Sequence, residues 1–447
     1  MSVRRLFHAP AEPADLLIRG AHVLDPRVEI DEPLDVLVVR GRIREFGDPG
    51  TVPIDESIEV VAGEGLHLFP GFFDPHVHLR TPGQEHKETL ATGTAAAAAG
   101  GYCGIVAMPN TAPTLDSAPL LRALCAQAER DARVPVGFMP AITRGLQGEE
   151  LAEMAELRDA GALGFTDDGK PVVAAGMLRR ALQYQRLCGG VLALHEEDPS
   201  LSGHGVMHEG AVSARLGMAG IPSISESTMV ARDAAIAAYE QGRVHFQHLS
   251  CVESVEALAA WKAAGAQVSG EASPHHLTLT DEAVLSLDSR FKMNPPLRSE
   301  ADRQALIAGL RDGTIECIAT DHAPHAQHEK EVPFEEAPMG VTGLETAFPV
   351  LYTDLVLPGV LPLGLVVERM TAGAALLDLP TPAIAVEHPA NLVLLDLDAS
   401  WEVGARGYAS KSANSCFEGR TLRGVVRMTV AAGAVVHRAE APAEVLT

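Results

Sequence analysis

The run FFDPHVHLRTPG occupies residues 72–83, and its reading decides the fold. His76 and His78 are separated by one residue. On a β-strand, positions i and i+2 point to the same face, so both imidazoles can reach one metal ion. Alone the pair is a modest signal in a chain with 18 histidines. Its weight comes from what lies downstream. Asp168 follows Ala162-Leu-Gly-Phe-Thr-Asp, His195 ends Val191-Leu-Ala-Leu, His248 ends Val244-His-Phe-Gln, and Asp321 ends Ile315-Glu-Cys-Ile-Ala-Thr. Each stands where an apolar run gives way to a polar loop. In a closed (β/α)8 barrel that position is the C-terminal mouth, where catalytic groups converge. Four histidines and two carboxylates suit one or two divalent ions, zinc foremost.

The surrounding sequence agrees with a barrel. From about residue 71 to 379, short apolar runs alternate with Ala/Leu/Glu/Arg-rich stretches. The runs at 134–139, 191–194 and 244–247 read as strands. The stretches 149–160, 228–240 and 252–264 read as helices. Such alternation over about 300 residues predicts parallel strands with crossover helices. No glycine-rich dinucleotide fingerprint opens a helix after a strand. The ends differ. Asp15–Arg19, Leu34–Arg40 and Ile58–Ala62 near the start, and Asn391–Leu397, Gly424–Val430 and Gly433–His437 near the end, read as strands separated by turns. The expectation is an α/β chain: a TIM-type barrel over 66–379 and a small β-sandwich built from 1–65 and 380–447.

Composition narrows the function. The chain has 447 residues, 47% hydrophobic and 21% charged, as a globular protein does. Its net charge of −24 disfavours nucleic acid or an anionic membrane as partner, so an anionic substrate must meet local cations. The six cysteines form no CxxC pair and read as reduced residues of a cytoplasmic protein. The two N-terminal arginines precede no apolar run, so no secretory signal is expected. Thr89–Leu115 carries no charge, but its side chains are too small to favour a bilayer. It reads as a buried helix followed by a buried strand.

Longer motifs carry a resemblance that covers nearly the whole chain. They are HVHLRTPGQEHKE (76–88), AMPNT (107–111), FTDDGKPV (165–172), LHEED (194–198), HLS (248–250), SPHHL (273–277), KMNPPLR (292–298), ATDHAPH (319–325) and GLETAFP (343–349). In these the sequence resembles the amidohydrolase superfamily, and within it the bacterial type I dihydroorotases. The resemblance implies that His76 and His78 bind the more buried metal, and His195 and His248 the second. Asp168 would bridge the two, where hydantoinases and allantoinases use a carboxylated lysine; Asp167 is the competing choice. Asp321 would touch the first metal and act as the acid/base. His78, Arg80, Asn110, Asn294 and His325 would hold the substrate, with the backbone around Met339 and Gly340 closing over it. The cofactor implied is zinc, one or two ions per subunit with two favoured.

The residue types fit that chemistry on their own. Hydrolysis of a cyclic amide needs an activated water, a polarised carbonyl and a proton for the leaving nitrogen. Arg80 can fork onto a substrate carboxylate. The reaction that the resemblance implies is reversible cyclisation of N-carbamoyl-L-aspartate to L-dihydroorotate in pyrimidine biosynthesis. The alternatives are a hydantoinase or allantoinase, or a chiefly structural partner of aspartate transcarbamoylase. A homodimer and a complex with that transcarbamoylase are the expected assemblies. Other polar residues get blander readings. Asp74 orients a strand end. His275, His276 and His322 support the site without binding metal, and Glu196 and Glu197 are supporting or loop residues. His204, His208 and His245 are surface or packing residues, and Lys170 lies beyond the strand end. The Glu/His/Pro-rich loop 326–338 reads either as a mobile flap over the site or as an ordinary solvated loop.

Overall fold

The computed structural model describes residues 6–439. The N-terminal arginines and the last eight positions of the C-terminal segment lie outside the described residues. The strands in chain order are β1 (Leu16–Asp25), β2 (Ile30–Val39), β3 (Arg42–Gly47), β4 (Glu59–Ala62), β5 (His67–Pro70), β6 (Phe72–Val77), β7 (Tyr102–Ala107), β8 (Val136–Phe138), β9 (Phe165–Thr166), β10 (Leu192–Leu194), β11 (Met207–His208), β12 (Gly220–Ile221), β13 (Val244–Phe246), β14 (Val268–Ala272), β15 (Cys317–Ile318), β16 (Leu392–Glu402), β17 (Thr421–Ala431) and β18 (Ala434–Arg438).

Eight of these close into a parallel barrel. β6, β7 and β8 pair in order, and β9, β10, β13, β14 and β15 pair in order. The two arcs join at both edges. Leu163 N donates to Phe138 O at 3.1 Å and Thr166 N to Pro140 O at 3.0 Å. At the other edge Val77 bridges His322 in parallel, and His78 N donates to His322 O at 2.8 Å. The barrel strands are short, and β6 and β7 are buried along their whole length, as strands covered on both faces must be.

The uncharged 89–115 segment is the predicted buried helix and strand. Thr89 caps helix Leu90–Ala99 in a reciprocal pair with Thr92. Its small residues are needed for close packing. A Cβ at Gly93 would lie 2.4 Å from Leu79 Cδ2, and one at Gly100 would lie 2.1 Å from Leu344 O. Helix Met154–Asp159 is shorter than the predicted 149–160, because Leu151 pairs with Thr143 in an antiparallel bridge instead. Among the described residues no helix is long and apolar enough to cross a membrane.

Both chain ends build one sheet, in the order β18-β17-β16-β5-β1-β2-β3 with β4 beside β1. The sandwich expected from sequence is therefore a single sheet bent back on itself. Its two far edges meet: a Cβ on Gly41 would lie 2.7 Å from Gly433 O, and Ile43 of β3 shares an apolar core with Met428 of β17. A bulge between Ile18 and Ala21 turns β1.

The loop leaving β6 packs on the loop leaving β7 at Gly83, where φ is +87° and a Cβ would lie 1.7 Å from Ala112 O. Gly83→Ala should cost at least about 2 kcal/mol through backbone strain and overlap. Thermal denaturation followed by circular dichroism should show a drop of several degrees; an unchanged midpoint would contradict this packing.

Candidate metal centre and active site

The barrel mouth gathers six side chains that the sequence scatters from residue 76 to residue 321. All six are buried. Asp168 is at the middle. Its Oδ1 lies 3.4 Å from His76 Nε2, 3.7 Å from His195 Nδ1 and 3.6 Å from His248 Nε2, while Oδ2 lies 3.4 Å from His78 Nε2. Asp321 Oδ1 is 2.9 Å from His78 Nε2 and 3.5 Å from His76 Nε2. His195 Nδ1 and His248 Nε2 are 2.9 Å apart. Of the two adjacent aspartates, Asp168 is the one that faces the imidazoles. Asp167 turns away, accepting from Thr143 N at 2.9 Å and from the Thr143 hydroxyl.

These residues fit a metal. His76 Nε2 is buried inside the cluster and makes no hydrogen bond there. The sets His76/Asp168/His248 and His76/His78/Asp321 each bring three ligand atoms within 4.8 Å of one another. Nitrogen and carboxylate donors in this number suit zinc.

Electrostatics point the same way. Burial by itself would raise the carboxyl of Asp321, but the hydrogen bond from His78 and the nearby imidazoles outweigh it and hold it down to about 2. Asp168 is likewise held well below the usual carboxylate range by His76 and its other imidazole neighbours, against the opposing effect of burial. Asp167, without such partners, is pushed up by burial to about 6.

Carboxylates below the cluster hold it in place. Glu271 was not singled out from sequence, yet its Oε1 accepts from His76 Nδ1 at 2.6 Å and from His248 N at 3.2 Å. Its Oε2 meets His245 Nε2 at 3.0 Å, and His245 Nδ1 meets Ser269 Oγ at 2.9 Å. His245 is therefore a hydrogen-bonding element beneath the site, not the surface or packing residue expected. Asp74 accepts from His76 N at 3.1 Å and from Thr320, as a strand-end holder does. His322 faces Glu88 at 3.4 Å and accepts at Nδ1 from Gly343 N, and His276 Nε2 donates to Pro295 O. Glu197 Oε2 sits 3.4 Å from His195 Nε2 and accepts from Asn294 Nδ2 at 2.7 Å. Lys170 is exposed.

A cleft of about 320 Å³ opens above the cluster. It is lined by His78, Arg80, Asn110, Asp168, His195, His248, Asn294, Asp321, His325, Met339 and Gly340, which brings every expected metal- and substrate-side residue except His76 to one wall or another. Arg80 is buried, with a φ of +56° and its Nε donating to Pro324 O at 3.1 Å. Burial pushes its guanidinium down to about 10, against the pull of Asp321 and Asp168, so it stays charged at neutral pH. Asn110 Oδ1 accepts from His78 Nδ1 at 2.8 Å. His325 Nε2 donates to Met339 O at 2.9 Å, and burial together with Arg80 pushes its imidazole down to about 2, so it is neutral. Gly340 has φ +132°, and a Cβ there would lie 3.0 Å from His325 Nε2.

The 326–338 loop is tied to the body of the protein by two buried lysines. Buried Lys330 donates to Ser289 O, Lys292 O and Pro338 O at 3.0, 3.1 and 2.8 Å, and Lys292 Nζ donates to Phe334 O and Glu335 O. Two ammonium groups tie the loop from inside.

A closed parallel barrel with a buried His/Asp cluster at its mouth defines a metal-binding protein of the amidohydrolase fold. Solved structures agree on the fold: the L-hydantoinase (dihydropyrimidinase) from Arthrobacter aurescens superposes with a TM-score of 0.84 at 24% identity, covering 96% of this chain and 98% of that one. Residues 65–256 match a family model described as Dihydro-orotase-like. The protein named dihydroorotase in Pelotomaculum thermopropionicum is 46% identical over 422 residues, 94% of this chain and 98% of its own length. That of Geotalea daltonii is 44% identical over 425 residues, 95% of this chain and 99% of its own. The chain belongs to the dihydroorotase family.

Glu271→Gln keeps an acceptor near His76 but removes the charge that orients it. Zinc affinity, measured by competition with a chromogenic chelator, should fall about 10–100-fold. Unchanged affinity would show that Glu271 does not support the cluster.

Proposed function

We propose that this chain is a zinc-dependent dihydroorotase, interconverting N-carbamoyl-L-aspartate and L-dihydroorotate in cytoplasmic pyrimidine biosynthesis, with the chemistry carried by the 66–379 barrel. The observation that carries this reading is the shared cleft: the buried guanidinium of Arg80 and the His/Asp cluster line one space of about 320 Å³. The relatives named above, similar over nearly their whole length, support the same substrate.

His76, His78, Asp168, His195, His248 and Asp321 would hold the zinc. Two ions are favoured, because six ligand-type side chains gather at the mouth, more than the four donors one zinc ion usually takes. Bound zinc supplies an acidified water and polarises the carbonyl under attack. The chain does the rest. Arg80 receives the substrate carboxylate on its fork. Neutral His325, Asn110 and Asn294 orient the ring or the open ureido chain by hydrogen bonds. Asp321, ionised and beside His78, takes a proton as water attacks and delivers it to the leaving ring nitrogen; ring closure runs the same transfers backwards. The backbone at Met339 and Gly340 closes the wall. A carboxylate bridge at Asp168 in place of a lysine supports this reading over a hydantoinase or allantoinase. The six cysteines, none of them disulfide-linked, fit a reducing compartment. A homodimer and docking to aspartate transcarbamoylase belong to the same proposal; the elution volume of the chain alone and mixed with that enzyme reads both.

Zinc-loaded protein should hydrolyse L-dihydroorotate in preference to allantoin, and Asp321→Asn should lower kcat by about 10²–10⁴-fold. Preferred turnover of allantoin, or an Asp321→Asn variant with full kcat, would overturn the assignment.

A further inference from the structure

The terminal sheet reaches into the active-site wall. Between β16 and β17, residues 403–420 leave the sheet and cross the barrel mouth. The crossing is anchored on one side of the cleft. Glu88 accepts from the Ser410 hydroxyl and from Lys411 N at 3.1 Å, and Ser412 Oγ donates to Lys87 O at 2.7 Å. Glu345 accepts from Ala409 N at 3.0 Å and Ser410 N at 3.1 Å. The contacts to Glu88 and Lys87 grip the loop that follows Arg80.

Further along the same crossing stands Asn414, which is buried. Its Oδ1 accepts from His325 N at 3.0 Å. Its Nδ2 donates to Ala323 O at 3.2 Å and to Gly340 O at 3.1 Å. Its own carbonyl accepts from Thr342 N at 3.2 Å. Ala323, His325 and Gly340 all line the cleft. One carboxamide therefore ties together the 323–325 and 339–340 segments, which form the wall beside Arg80, and it adds to their direct bonds, Ala323 N to Val341 O at 2.8 Å and His325 Nε2 to Met339 O at 2.9 Å. The geometry demands both halves of an amide: one acceptor for a backbone N–H, and two donors for two backbone carbonyls. An apolar residue there would orphan three buried backbone groups, and an aspartate would set a charged oxygen against two carbonyl oxygens.

We infer that Asn414 is a positioning residue, through which the terminal sheet sets the substrate wall of the site. It touches neither substrate nor metal, and acts by holding His325 and Gly340. The substrate named in the test rests on the function proposed above; the wall geometry does not.

The test compares zinc-loaded wild type with Asn414→Asp, which keeps the shape and the acceptor but loses both donors. Thr429→Ala is the control. It removes a buried hydrogen bond of 2.7 Å from the same sheet to Ala98 O, remote from the cleft. Hydrogen exchange, which needs no substrate, should speed up across 323–342 in Asn414→Asp and stay as in wild type there in Thr429→Ala. The KM for L-dihydroorotate should rise about tenfold in Asn414→Asp, more than kcat falls, with zinc content unchanged. The control should lose thermal stability and keep its KM. If Asn414→Asp does not fold, Asn414→Ser, which retains one small donor, gives the same readouts. Wild-type exchange at 323–342 together with wild-type KM in the Asn414 variant would overturn the inference, as would an equal KM change in Thr429→Ala. A wild type that leaves dihydroorotate intact would instead count against the proposed reaction, and the exchange result would still decide the role of Asn414.

Discussion

One backbone seam sets the geometry of this molecule: the edge where the first barrel strand meets the last. His78 N donates to His322 O at 2.8 Å beside the Val77–His322 bridge. These contacts join residues 244–245 positions apart, and they place His78 Nε2 2.9 Å from Asp321 Oδ1. Around the rest of the mouth, parallel pairing brings Asp168, His195 and His248 to the same level. The cluster is thus a consequence of closure. An open sheet of the same strands would leave His76 and His78 at one edge and Asp321 at the other.

Closure has an electrostatic cost, and the layer below the mouth offsets it. Burying ionisable groups is expensive unless each has a partner. Here Glu271 takes His76 and His245, Asp74 takes Thr320 and His76 N, and Asp167 takes Thr143. These contacts fix which ring nitrogen of His76 faces upward, with Nε2 left for the cluster. Several carboxylates in one buried space call for a cationic occupant. Arg80 supplies positive charge locally in a chain whose net charge is −24, and a divalent metal held by the cluster would add to it.

Much of this was legible in the sequence, for a physical reason. A ligand-type residue at the end of an apolar run marks a strand end, and the parallel barrel makes strand ends converge. Hence His76, His78, Asp168, His195, His248 and Asp321 meet as their spacing implied. The choice of Asp168 over Asp167 was not legible from residue type. Both lie just past the end of β9, and only the position of Thr143 shows which one is engaged elsewhere. Glu271 and His245 were missed or misread because a polar residue inside an apolar run looks alike whether it pairs below a metal or merely packs. Their one signal was a glutamate at the inner end of a strand. Whether the 326–338 loop was a flap or an ordinary solvated loop stayed open in the sequence, because its anchors are backbone carbonyls that Lys330 and Lys292 reach, and carbonyl partners leave no trace in sequence. Asn414 lies in a distant segment, so its link to the cleft exists only in three dimensions.

The central claim is that the barrel mouth is a zinc site facing a carboxylate pocket. It is tested most directly by crystals grown with zinc and L-dihydroorotate, with diffraction collected on either side of the zinc absorption edge. The account predicts anomalous density among His76, His78, Asp168, His195, His248 and Asp321, and the ligand's carboxylate on Arg80. Zinc found elsewhere with that cluster lacking anomalous density, or a carboxylate seated away from Arg80, would contradict it.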